Sequence, residues 1–203
     1  MIYPLLGKVI NIAHMMGLST DPDEFPGKFN LFEAEERRRV WWDIYYYDVF
    51  ISDAMGQAPS IQDGTFTTKL PADVDEEQFG PSSTSLPLPL PRRAGGDPTE
   101  VGFAYFIQKC RLAQLVKGVQ RRCPRDNPND SSDSSAERAE TFESEVKSWL
   151  SELPKVFRFD ANSVESTPSS KFTISPHLQA QRCELAIIAN QLVLKVFLPY
   201  LKN

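Results

Sequence analysis

Apolar residues recur along this chain at helical spacing, in blocks separated by polar and proline-rich stretches. In the first block Val9, Ile12, Ala13 and Met16 follow at three- and four-residue steps, which predicts an amphipathic helix from Leu5 to Gly17 with these residues as its apolar stripe. Gly17 suits the end of that helix, because glycine tolerates the left-handed backbone found there. Asp21 to Phe32 reads as a loop broken by Pro22, Pro26 and Gly27. The strongest helix follows, from Phe32 to Met55. Val40, Ile44, Tyr47 and Ile51 form one stripe, and Trp41, Tyr45 and Asp48 the neighbouring one. Apolar residues cover more than half of its circumference, so it is expected to be central and packed on several sides.

Gly56 to Pro71 contains Pro59 and Pro71, which cannot continue a helix, and is predicted as an ordered irregular stretch anchored by Ile61, Phe66 and Leu70. A third helix is expected from Pro98 to Arg122, with Phe103, Phe106, Ile107 and Cys110 on one face and Leu112, Leu115, Val116 and Val119 after them. The fourth spans Ala136 to Leu153, where Phe142, Val146, Trp149, Leu150 and Leu153 hold the helical period. Pro176 opens the fifth, which Leu178, Leu185, Ile188, Leu192 and Val196 line until Pro199 stops it. Residues 80–98, with serines, Leu-Pro repeats and Gly95-Gly96, and residues 124–135, rich in Asp, Asn and Ser, are expected to be flexible loops. No useful β-alternation and no internal repeat is present. The fold class is all-α: one multi-helix domain over residues 1–203 with long Pro/Ser-rich loops.

Composition narrows the function classes. Hydrophobic residues make up 41% of the 203, enough to fill a core, and the formal net charge is −5. An acidic balance argues against this chain gripping a phosphate backbone. The three cysteines, Cys110, Cys123 and Cys183, are widely spaced and form no Cys-x-x-Cys pair, so they do not make a zinc site. The start of the chain does not read as a signal peptide, and no apolar run approaches the roughly 20 residues of a membrane span. A reducing, intracellular compartment is expected.

Candidate chemistry is sparse. His14 and His177 lie far apart in sequence and read as packing or surface residues rather than metal ligands. Nucleophile-elbow, phosphate-loop and zinc-protease motifs are absent from the sequence. Asp43, Asp48, Asp53 and Asp63 are expected on the less buried side of the structure or bonding loop amides, not acting as acids and bases. The block Glu33, Glu35, Glu36, Arg37, Arg38 and Arg39 places Glu33–Arg37 and Glu35–Arg39 at i,i+4, with the acid N-terminal, the better orientation for a helix.

The run Glu-Ala-Glu-Glu-Arg-Arg-Arg-Val-Trp-Trp-Asp-Ile-Tyr-Tyr-Tyr-Asp at 33–48, followed by Gly-Gln-Ala-Pro-Ser-Ile at 56–61 and Leu-Pro at 70–71, resembles the middle homology region of fungal zinc-cluster transcription factors. Ala13 to Leu18 with Asp21-Pro22, and Trp149-Leu150 with Leu153-Pro154, are similar to further parts of that family. The resemblance implies that Glu36, Arg37, Arg38, Arg39, Trp41, Trp42, Tyr45, Asp48, Gly56, Pro59, Ile61 and Pro71 are structural motif residues. It implies a non-catalytic regulatory domain of a nuclear transcription regulator. The family's zinc is held by a separate six-cysteine DNA-binding module that these 203 residues do not contain, so no cofactor is expected in this chain. The partners implied are other transcription regulators or a homo- or heterodimer partner, with DNA reached only through that absent module and no membrane. Alternatives are a truncated interaction protein that pairs with full-length relatives, and a helical domain sensing a small-molecule effector, for which Tyr45, Tyr46 and Tyr47 could line a pocket.

Overall fold

The computed structural model describes residues 3–74, 79–87, 103–122, 132–158 and 176–198. Regular structure among them is helical: α1 (Tyr3–Met15), α2 (Leu31–Met55), α3 (Ala104–Arg122), α4 (Ser132–Glu152) and α5 (Pro176–Phe197), with short 3₁₀ turns at Pro22–Glu24 and Lys155–Phe157. The chain divides into two compact units, one of Met1–Arg93 with Gly102–Lys117, the other of Ala94–Val101 with Gly118–Asn203.

In the first unit α2 is the axis. Asn30 starts it: its side chain accepts from the Glu33 N–H while the Glu33 carboxylate accepts from the Asn30 N–H, a complete capping box. Gly56 ends it in the left-handed region at φ 69°, and the Gln57 N–H closes the last turn on the Ser52 carbonyl. α1 and the Pro22–Glu24 turn pack against α2.

Two stripe assignments are corrected. On α1 the buried residues are Leu6, Ile10 and Ala13, while Val9, Ile12 and Met16 are exposed. On α2 the expected stripe of Trp41, Tyr45 and Asp48 is buried together with Ala34, Glu35, Arg38, Trp42, Tyr46, Val49 and Ser52, while Val40 and Tyr47 of the other expected stripe are about half exposed. The physical reason is the same at both places. Each helix carries two apolar stripes, and which one turns inward depends on the neighbour. For α2 the inward face carries charged and polar residues, which periodicity of hydrophobicity discounts but which the fold satisfies one by one.

Around that face an aromatic group closes on Phe66, whose ring centre lies 5.5 Å from Trp41, 5.8 Å from Trp42 and 5.7 Å from Tyr45. His14 meets Trp41 edge-on at 5.3 Å. Tilted and edge-to-face geometries of this kind add to the area the rings bury. α3 contributes Ile107, Cys110, Leu112, Ala113 and Val116 to the buried set. Burial pushes the Cys110 thiol up to about 12.

In the second unit α4 and α5 pack together, and the Lys155–Phe157 turn packs on α5. Ala139, Phe142, Val146 and Trp149 of α4 and Leu153 just after it are buried, as are Leu178, Leu185, Ala189, Leu192 and Val196 of α5. The α4 set alternates three- and four-residue steps. On α5, Ala189 is fully buried, whereas Ile188, expected on the lining face, is half-buried. Arg182 Nε donates to the Val156 carbonyl and Arg158 Nε to that of Leu153, satisfying backbone oxygens at the end of α4 and in the turn after it.

The loop segments 80–98 and 124–135 lie mostly outside the described residues, as do the first residues of the third predicted helix, the side chain of Val119 and Pro199. Residues 80–87 are turns and irregular chain, whereas 132–135 already belong to α4. Serine and aspartate disfavour helix interiors but suit a helix's first turn, which is where these four residues fall.

Candidate functional site: the charged clamp on the central helix

Arg38 is the hub of the motif read from the sequence. Its Nε donates to Asp21 Oδ2 at 3.0 Å and its Nη2 to Asp21 Oδ1 at 2.8 Å, a bidentate pair, and its Nη1 donates to Glu35 Oε1 at 2.6 Å. Asp23 Oδ1 lies a further 2.8 Å from Nη2. Both Arg38 and Asp21 are buried. Asp21 also accepts from the backbone N–H groups of Asp23 and Lys69, and its own N–H donates to Thr67 Oγ1. Burial alone would raise the Asp21 pKa, but the Arg38 guanidinium and the two N–H groups outweigh it and hold the carboxyl well below the ordinary carboxylate range. The hydrogen bond to Asp21, opposed by burial, raises the Arg38 pKa.

The clamp ties three separate stretches of chain together. Glu35 Oε2 accepts from the Ala72 N–H at 2.8 Å, Trp42 Nε1 donates to the Lys69 carbonyl at 2.8 Å, and Thr68 Oγ1 donates to the Leu18 carbonyl at 2.7 Å. Residues 18–24 and 67–72 are thereby fixed to one face of α2. About two turns before the helix end, Asp48, fully buried, accepts from the N–H groups of Ser60 (3.0 Å) and Ile61 (2.8 Å). Ile61 is buried, and its carbonyl accepts from Lys117 Nζ at 2.6 Å. Lys117 in turn pairs with Asp63 Oδ1 at 2.7 Å and sits 5.0 Å over the Tyr45 ring. Burial, with Asp63 and Asp48 nearby, raises the Tyr45 hydroxyl pKa.

The remaining motif residues act beside this network. Arg37 donates from Nη2 to the Met16 carbonyl at 2.7 Å and lies 4.4 Å over the Phe29 ring. Arg39 donates to Glu36 Oε1 at 3.1 Å and covers Phe103 at 3.9 Å. Pro59 and Pro71 are buried in the irregular stretch, where the Pro59 carbonyl accepts from Gln62 Nε2. The ion pairs differ from the i,i+4 pairs expected. Glu35–Arg38 and Glu36–Arg39 are i,i+3, because Glu33 is held by the capping box and Arg37 turns to α1. Asp48 is not on the less buried side, although it does bond loop amides. Asp21, Asp23, Lys69 and Lys117 were absent from the expected set. Each is joined to α2 or its loop across long sequence separations; Asp21, before Pro22, and Lys117, a charge inside an apolar helical stripe, carry a local signal, and Asp23 and Lys69 carry none.

Among the described residues no group of three or more His, Cys, Asp and Glu could hold a metal ion, and no helix is long and apolar enough to cross a membrane. His177 is exposed at the start of α5, 3.0 Å from Gln181.

Residues 1–154 match the fungal specific transcription factor domain. The chain belongs to that family. This fungal transcription factor domain is 39% identical over 111 residues to the Zn(2)-C6 fungal-type transcription factor pigI of Monascus ruber, covering 55% of this chain and 13% of pigI. It is 28% identical over 192 residues to the pyrrolocin cluster transcription factor fsdR of Fungal sp. (strain NRRL 50135), covering 94% of this chain and 22% of fsdR. It is 36% identical over 78 residues to the C6 finger domain transcription factor hasF of Aspergillus fumigatus, covering 38% of this chain and 10% of hasF. The aligned part is thus less than a quarter of each relative's length. No solved structure matches the chain. The family and these relatives are transcription factors, not enzymes, and the domain's role is regulatory and non-catalytic.

Proposed function

We propose that this domain sets the output of a nuclear fungal transcription factor through protein contacts, while DNA is reached through a six-cysteine zinc module outside these 203 residues. The observation that carries the reading is the place of the family motif in the structure. Arg37, Arg38, Arg39 and Asp48 are all held by acceptors or donors of this chain, so the motif builds a rigid scaffold instead of presenting reactive or phosphate-binding groups. The motif residues from Glu36 to Pro71 are structural in this reading. The relative fsdR is named for a cluster, which supports a set of clustered genes as the regulated target.

The test is a reporter. The 203-residue chain is fused to a heterologous DNA-binding module and compared with that module alone. A several-fold change in reporter output, abolished by Arg38→Ala at equal protein level, is expected. Equal output with and without the chain would overturn the proposal. A small-molecule effector is the weaker reading. The groove of about 380 Å³ along α5, lined by Cys183, Ala186, Ile187, Asn190, Gln191 and Leu194, is formed by one helix and opens widely to solvent, whereas small-molecule sites enclose most of their ligand.

A further inference from the structure

α1 leaves a second apolar face uncovered. Leu5, Val9, Ile12 and Met16 are 59%, 44%, 55% and 58% exposed, and Met15 is 87% exposed. Their spacing of four, three and four residues stacks Leu5, Val9, Ile12 and Met16 within an arc of about 60° on a helix of 3.6 residues per turn. That arc is distinct from the Leu6, Ile10 and Ala13 side that faces α2. The stripe is about 16 Å long at 1.5 Å per residue, enough for three turns of a second helix.

Cations lie on α1 and near the C-terminal end of this stripe, where the exposed Glu24 also precedes Phe25. Tyr3–Met15 contains Lys8 and no Asp or Glu. At the C-terminal end of the stripe Arg37 holds the Met16 carbonyl and covers Phe29, and Lys28 lies 4.9 Å over Phe25 and 5.3 Å over Phe29. Phe25 is itself 41% exposed. Lys8, Lys28 and Arg37 make no ion pair among the described residues. An apolar stripe, flexible methionines and cations that make no ion pair among the described residues therefore run together on a chain whose net charge is −5.

We propose that this α1 face is a docking surface for an amphipathic helix of a partner protein, with an apolar i, i+4, i+7 edge flanked by carboxylates. The apolar edge covers Val9, Ile12 and Met16, and the carboxylates meet Lys8 and Lys28. Helix-in-groove recognition uses such anchors, and methionine adapts to more than one partner surface. A second copy of the chain fits less well, because pairing α1 with itself brings lysine to a helix that offers no counter-charge. A contact this small makes a weak, salt-sensitive complex. The inference names a partner class for the regulatory role proposed above. It is tested by direct binding, so its failure leaves the reporter result standing.

The experiment titrates the 203-residue chain into a labelled three-turn helical peptide carrying leucines at i, i+4, i+7 and i+11 with glutamates beside them, read by fluorescence anisotropy. A control peptide has lysines in place of the glutamates. Binding of the acidic peptide only, weakened several-fold between 0.05 and 0.3 M salt (an order-of-magnitude expectation for exposed charges), is expected. Val9→Gln/Ile12→Gln should reduce affinity about tenfold or more, as loss of two apolar anchors predicts. Lys8→Glu/Lys28→Glu leaves the stripe intact and decides the matter even if the first pair alters folding: it should weaken the acidic peptide and admit the basic one. Equal binding of both peptides, no binding of either, or a dimer by light scattering that Val9→Gln/Ile12→Gln dissolves would each overturn the proposal.

Discussion

Arg38 and Asp21, separated by 17 positions in the chain, form a bidentate buried pair with N–O distances of 3.0 and 2.8 Å. Arg38 lies on α2 and Asp21 caps the 3₁₀ turn before it, so the pair sets how the chain leading from α1 meets α2. Removing one partner of such a pair leaves a buried charge without compensation, which costs about 3–5 kcal/mol. Arg38→Ala should lose that much stability in urea denaturation. Arg38→Lys should recover only part of it, because an ammonium cannot span Asp21 in two places and still reach Glu35.

The same pair imposes a pH dependence. The Asp21 carboxyl titrates below its ordinary value of 3.8 in the folded chain, so the folded state binds fewer protons than the unfolded one in that range. Its contribution is fully present above about pH 4 and is lost as pH falls below the ordinary value toward the folded one. Stability should therefore decline from about pH 4 downward. Asp21→Asn should be less stable at neutral pH and show a flatter decline over the acid range, measured as denaturation midpoints at stepped pH.

Asp48 accepts two loop N–H groups from a fully buried position. Asp48→Ala orphans both, at roughly 2–4 kcal/mol for buried unsatisfied donors. Amide exchange at Ser60 and Ile61 should accelerate beyond the global change. Uniform acceleration across α2 and the loop would mean that the loop does not depend on Asp48 locally.

Two glycines of the first unit should respond oppositely to alanine. Gly17 has φ 66° and no crowding beyond Arg37 Nη2 at 3.7 Å from the added carbon, so Gly17→Ala is opposed by the backbone and should cost about 1 kcal/mol. Gly7, inside α1, has open space around it. Gly7→Ala should stabilise by about 0.5–1 kcal/mol. Thermal melting of both variants checks the signs.

Cys110 is fully buried with its thiol pushed up to about 12, whereas Cys183 is half-buried. Under native conditions a thiol reagent should modify Cys183 well before Cys110, with Cys110 labelled only on unfolding, read by peptide mass mapping.

Local chemistry was legible in the sequence because it acts within a few residues. Helical period placed α2, α4 and α5 to within a few positions. Gly17 was readable as a helix end and Gly56 as the start of an irregular stretch, since tolerance of left-handed backbone is a property of the residue itself. The block 33–71 pointed to the family because its residue types and spacing are unusual together. Tertiary structure decided the rest. Nothing local tells whether α1 buries Leu6, Ile10 and Ala13 or Val9, Ile12 and Met16, because both sets are apolar and helically spaced, and only the surface of α2 selects between them. Nothing local tells that Arg38 takes Asp21, that Arg37 takes the Met16 carbonyl or that Lys117 reaches Ile61, since each partner is brought near by the packing of other elements. A charge is affordable inside this core only where the fold delivers its counterpart, and that delivery is a fact of three dimensions.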